Sequence, residues 1–172
     1  IDGLVGGCFV VIIALSAFIN DISILPLAGC LIGFTFLNWN PAKVFMGDIG
    51  STFLGAMFVG LVLQSESWVR ALSYLLVATP LLADACSCVL RRLVDGQDVF
   101  KPHRLHLYQR LQQAGWTHAQ VSIVYIAATA LLALSVLTGG LPAVILIAMA
   151  ETIAGLLLDK YVAVPFLVAS AN

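Results

Sequence analysis

A chain whose residues 3–19, GLVGGCFVVIIALSAFI, carry no charge, and which repeats that pattern along its length, has few folds open to it. A helix that crosses a bilayer takes roughly 17–25 mostly apolar residues. Only 10% of the 172 residues are charged and 61% are hydrophobic, with mean hydropathy +1.04. A soluble domain carries about 25% charged residues. The sequence therefore reads as an all-α, polytopic membrane helix bundle and is counted in spans rather than in soluble domains. A net charge of −1, with no basic tail, gives no footprint for nucleic acid.

Polar residues punctuate the apolar runs. Asn20 and Asp21 end the first run, and residues 22–37 form the second, with Pro26 near its start, where a helix tolerates proline. The loop 38–51, NWNPAKVFMGDIGS, precedes a third, short run over 52–64. Gln64 to Ser67 form a polar turn. The fourth run, 68–90, contains Asp84 and Pro80, where a kink is expected. Residues 91–118 form the longest polar segment. Runs over 119–138 and 143–158 flank a Gly139-Gly140-Leu141-Pro142 turn, and the tail 161–172 is too short to cross.

Six crossings put the 38–51 and 91–118 loops on one face. Lys43, Arg91, Arg92, Lys101, Arg104, Arg110 and Lys160 fall there, against Arg70 alone on the other. The positive-inside rule makes the basic face cytoplasmic. The chain lacks an initial Met and has no basic segment before its first apolar run, so it reads as one membrane domain, 1–172, from within a longer protein. Cys8, Cys30, Cys86 and Cys88 all lie in apolar runs and read as buried thiols. Cys86 and Cys88, two apart on a helix, point to different sides and cannot share one ion.

Two loops carry chemistry. In the first, Gly47 and Gly50 let backbone approach a ligand closely, and a helix start offers free N–H groups to phosphate. Asp48 has two readings there. It is a magnesium ligand, since magnesium takes one or two carboxylates plus phosphate oxygens, or Asp48 or Ser51 is simply the N-cap of the next helix. In the second loop, a helical His103-Arg104-Leu105-His106 would put both histidines on one face, with Arg110 one turn on. That face suits a diphosphate, or else the segment is a basic strip touching lipid headgroups. Asp84 reads either as a functional acid at membrane depth or as a partner of Arg91 or Arg92. Glu151 has no evident partner, is expected to face protein or be protonated, and is assigned no chemistry.

The first loop fits Asn-x-x-Pro-Ala-x-x-Phe-Met-Gly-Asp-x-Gly-Ser at Asn38, Pro41, Ala42, Phe45, Met46, Gly47, Asp48, Gly50 and Ser51. In this the chain resembles the polyprenyl-phosphate sugar-1-phosphate transferases of glycosyltransferase family 4. The opening Ile-Asp-Gly-Leu resembles the end of that family's Asn-x-x-Asp-Gly-x-Asp-Gly-Leu segment, with Asp2 as its second aspartate. The second loop departs from the denser His-x-His-His of many members. Its His-Arg-x-His-x-Tyr-Gln-Arg-Leu form, His103 to Leu111, is similar to the branch that initiates O-antigen synthesis. The family's Asp-Asp-x-x-Asp motif is absent, so the resemblance implies a C-terminal part of the enzyme that is inactive alone.

The resemblance implies a magnesium-dependent transfer of N-acetylhexosamine-1-phosphate from a UDP-sugar to undecaprenyl phosphate, releasing UMP, in the bacterial inner membrane. It implies Asp48 as metal ligand and His103, His106 and Arg104 or Arg110 as phosphate ligands. Phe45 would stack on uracil, and Asp2 and Asn38 would serve nucleotide binding. The bilayer and a second copy of the chain are the other expected partners. A transporter with a cytoplasmic anion site is the competing class, motivated by Asp84, Glu151 and Pro80.

Overall fold

In the computed structural model, which describes residues 2–20, 22–101 and 103–170, each apolar run is helical and no strand occurs among the described residues. The order is α1 (Asp2–Ile19), a 3-10 turn (Ile22–Ile24), α2 (Leu25–Asn38), α3 (Gly47–Leu63), α4 (Trp68–Val77), α5 (Thr79–Val94), α6 (Leu107–Gln113), α7 (His118–Tyr161) and α8 (Phe166–Ser170).

Length and composition let α1 and α7 cross a bilayer, and α4 with α5 if taken as one bent span. The bend of 71° falls at Ala78, with Pro80 at the second position of α5, which places the expected kink. The stretch Ile22–Asn38 and helix α3 are shorter apolar helices. The 44-residue α7 is broken where Gly140 adopts φ 61°, a conformation open to glycine and costly for other residues. The chain doubles back there. Leu132 packs in one cluster with Val144, and Tyr125 in another with Leu158 and Ala163. The expected Gly139–Pro142 turn is thus the tip of a helical hairpin.

Helix α1 is the central post. Leu4, Cys8, Ile12 and Ile13 expose no surface, packed against α2 and α7. By contrast Phe18, Phe36, Leu63 and Trp68 are each more than three-quarters exposed. Many exposed apolar side chains on one exterior suit lipid rather than water. Cys8 and Cys88 are buried, but Cys30 and Cys86 are exposed, which corrects the reading of all four as buried. An apolar helix has an outer face, and thiols there meet the surroundings rather than a core.

Between apolar helices in lipid, association rests on close packing, which small residues permit. At Gly6 an added Cβ would lie 2.8 Å from Thr35 Oγ1 and 3.2 Å from Phe34 Cδ1 of α2. Gly6→Val is therefore expected to push α2 away, at a cost of about 1–3 kcal/mol. Each kcal/mol lowers the melting temperature by roughly 2–4 °C in a chain of this size. An unchanged melting curve in detergent would mean that α1 and α2 have room to spare.

The two ends of the bundle differ. At one, Arg70 donates to Asn20 Oδ1 and to Glu66 Oε2, both at 2.9 Å, and Asn20 donates to the Tyr74 hydroxyl at 2.8 Å. The other end gathers the 38–46 loop, α6, the loop before it and the remaining lysines and arginines.

Candidate functional site

Two hydrogen bonds tie the 38–46 loop to the start of α1, and a third braces the loop internally. Asn38, 7% exposed, accepts from Gly3 N through Oδ1 at 2.6 Å and donates through Nδ2 to Val44 O at 2.6 Å. Asp2 Oδ2 accepts from Met46 N at 2.8 Å. Asn38 and Asp2, expected to serve nucleotide binding, thus hold the loop's backbone. Phe45 is 72% exposed, its ring free to meet a ligand.

Gly47, with φ 64°, opens α3 directly after the loop. Asp48 follows in the first turn, exposed, and its carboxylate has no hydrogen-bond or ion-pair partner among the described residues. The N-cap is Met46, without a side-chain cap, and Ser51 Oγ donates to Asp48 O at 3.0 Å. This corrects the capping reading of Asp48 and Ser51. Glycine's positive φ starts the helix earlier than a capping aspartate would, leaving Asp48 inside the turn. Its negative charge there faces the positive end of the helix dipole.

The second loop is built around Asp84 of α5. Asp84 Oδ1 accepts from Leu107 N at 2.7 Å, and Oδ2 accepts from Tyr108 N at 3.3 Å and from the Tyr125 hydroxyl at 2.8 Å. His106 Nδ1 lies 3.5 Å from Oδ1. Asp84 therefore caps α6 from another helix and does not pair with Arg91 or Arg92. Those arginines lie about two turns further along α5 and turn elsewhere. Arg91 binds Asp159, and buried Arg92 donates to the carbonyls of Asp98, Val99 and Lys101, shaping the loop that follows. The sequence marked Asp84 as unusual but held no signal for a helix cap.

His103 and His106 do not share a helix face, because α6 begins only at Leu107. The turn brings them together all the same, with ring centroids 5.0 Å apart, and Tyr108 stacks on His106 at 5.3 Å. Burial, then the charge of Arg92, then His106, push His103 below the ordinary imidazole range. Burial, then the Asp84 and Asp2 carboxylates, push the Tyr108 phenol up to about 12.

Arg104 is exposed, its guanidinium without a partner among the described residues. Arg110, in contrast, is 3% exposed. Its Nε donates to Leu105 O at 3.0 Å, Nη1 to Val164 O at 2.9 Å and Nη2 to Asp159. Expected on the histidines' face, it turns inward instead, where it holds the histidine turn through Leu105. Beneath lies a cavity of about 220 Å³ between α5 and the returning arm of α7, lined by Asp84, Tyr125 and Glu151 among others. Both carboxyl oxygens of Glu151 are buried without a partner among the described residues.

Residues 1–66 match the family described as Glycosyl transferase family 4. The chain is 30% identical over 141 residues to a probable undecaprenyl-phosphate N-acetylglucosaminyl 1-phosphate transferase of Bacillus subtilis (strain 168), covering 73% of this chain and 39% of that protein. It is 34% identical over 113 residues to the phospho-N-acetylmuramoyl-pentapeptide-transferase of Carboxydothermus hydrogenoformans, covering 64% and 33%. With an undecaprenyl-phosphate alpha-N-acetylglucosaminyl 1-phosphate transferase of Yersinia pestis it shares 35% over 97 residues, covering 54% and 26%. The chain thus spans well under half the length of these relatives. No solved structure matches it significantly.

Proposed function

We propose, from the match of residues 1–66 to glycosyl transferase family 4, that the whole protein transfers an N-acetylhexosamine-1-phosphate from a UDP-sugar to undecaprenyl phosphate. The basic end of the bundle faces the cytoplasm in this reading, following the positive-inside rule. An oxygen of the lipid phosphate attacks the sugar-proximal phosphorus, the bond to the UMP phosphate breaks, and UMP leaves with the electron pair. A phosphate oxygen is already a competent nucleophile, so the protein's work is positioning and charge neutralisation.

The observation that carries the reading is Asp48, a carboxylate with no internal partner, presented at a helix start beside exposed Phe45. A lone free carboxylate fits magnesium, which takes one or two carboxylates and completes its shell with water and phosphate oxygens. When bound, magnesium would neutralise the diphosphate. Phe45 would stack on the uracil ring. His103, His106 and Arg104 would hold phosphate oxygens, and Arg110 would keep the histidine turn in place. Asn38 and Asp2 would fix the loop that presents Phe45 and Asp48. The form of the histidine stretch favours the branch that starts O-antigen or a related envelope polysaccharide.

Membranes carrying the full-length protein, supplied with radiolabelled UDP-N-acetylhexosamine and undecaprenyl phosphate, are expected to yield lipid-linked sugar and UMP in equal amounts. Solute flux across sealed vesicles without any lipid-linked product would overturn the transferase reading in favour of transport.

A further inference from the structure

Three metal-ligating side chains meet at the histidine turn, one of them a thiol from α5. Cys88 is 3% exposed on α5, and its Sγ lies 3.9 Å from His103 Nδ1. One ligand atom from each of Cys88, His103 and His106 falls within 4.8 Å of the others. We propose that these three residues bind a soft divalent cation of the zinc class.

The donor set selects the ion. Thiolate and imidazole suit zinc and its neighbours, whereas magnesium asks for oxygen. A tetrahedral zinc with Zn–S near 2.3 Å and Zn–N near 2.0 Å holds its ligands roughly 3.3–3.6 Å apart. The Cys88–His103 pair is close to that already, and small side-chain movements bring in His106. Outside the ligands the support is built. The Asp84 carboxylate lies 3.5 Å from His106 Nδ1, the arrangement by which a carboxylate orients a ligating imidazole and leaves its other nitrogen for the metal. Tyr108, stacked nearly parallel on His106 with 9° between the planes, holds the ring from the other side.

The present contacts within the trio are weak. A sulfur–nitrogen contact at 3.9 Å and the 3.4 Å bond from Leu105 N to His103 Nδ1 are both long. An ion would replace little and gain three ligands. Three protein ligands leave a fourth position open. An ion here would compete with phosphate for both imidazoles. The site does not rest on the transferase reading, and its test reads metal alone.

Full-length protein in detergent, stripped with a chelator, is titrated with Co2+. One equivalent is expected to bind with the d–d absorption of a four-coordinate ion and a thiolate-to-cobalt charge-transfer band, and Zn2+ is expected to erase both. Cys88→Ser should abolish the charge-transfer band and weaken binding by about tenfold or more, while Cys30→Ser and Cys86→Ser leave the band intact. Wild-type protein without the band, or a band that survives in Cys88→Ser, would overturn the proposal whether or not any variant folds well.

Discussion

Asp48→Asn is expected to lower sugar-phosphate transfer by about a hundredfold or more, the scale on which single groups that stabilise transition-state charge act. The same change should barely touch the fold. Asp48 is exposed and holds no internal hydrogen bond or ion pair among the described residues. Only its attraction to the α3 dipole is lost, about 0.3–1 kcal/mol. Activity and stability therefore separate at this position, as they do not for a residue that merely supports structure. The measurement is turnover across a magnesium titration, paired with a melting curve. Near wild-type turnover at saturating magnesium would remove Asp48 from the metal role.

Asp159→Ala should behave in the opposite way, with its main effect on stability. Asp159 receives Arg91 and Arg110 together, but the two bonds carry unequal weight. Arg110 has 3% of its side chain exposed and Arg91 has 35%. Removing the carboxylate strands a buried guanidinium, which costs about 3–5 kcal/mol. Arg91→Ala removes a pair that water already screens, at about 0–1 kcal/mol. The melting temperature in detergent should fall roughly 6–20 °C for Asp159→Ala, at 2–4 °C per kcal/mol, and hardly at all for Arg91→Ala. Equal losses would contradict the assignment of the stabilisation to the Arg110 bond.

The helices were legible because composition writes them directly. An uncharged run such as 3–19 has little choice but a helix in lipid, and Gly140 and Pro80 mark a reversal and a bend through backbone preferences that act locally. Side-chain partnerships were less legible, since they join distant elements. Asp84 meets Leu107, 23 residues on, and Tyr125, 41 residues on, so its nearer arginines looked like natural partners. The histidine loop misled for a related reason. A helical reading from His103 put Arg110 on an outer face, but Asp84 starts α6 only at Leu107, and Arg110 turns inward. The sequence separates Cys88 from Cys86, two residues away on the same helix, but does not show that its neighbours in space are His103 and His106. The 38–51 motif singled out Asp48, while the roles of Asn38 and Asp2 as ties between loop and α1 required coordinates.

Those ties bear on affinity. Because Gly3, Val44 and Met46 are already bound to Asn38 and Asp2, the loop's conformational entropy is surrendered during folding rather than on docking. Preorganisation of this kind leaves less ordering to be done by an incoming ligand. A nucleotide would meet a surface already in shape, and loosening either tie would show first as a weaker Michaelis constant.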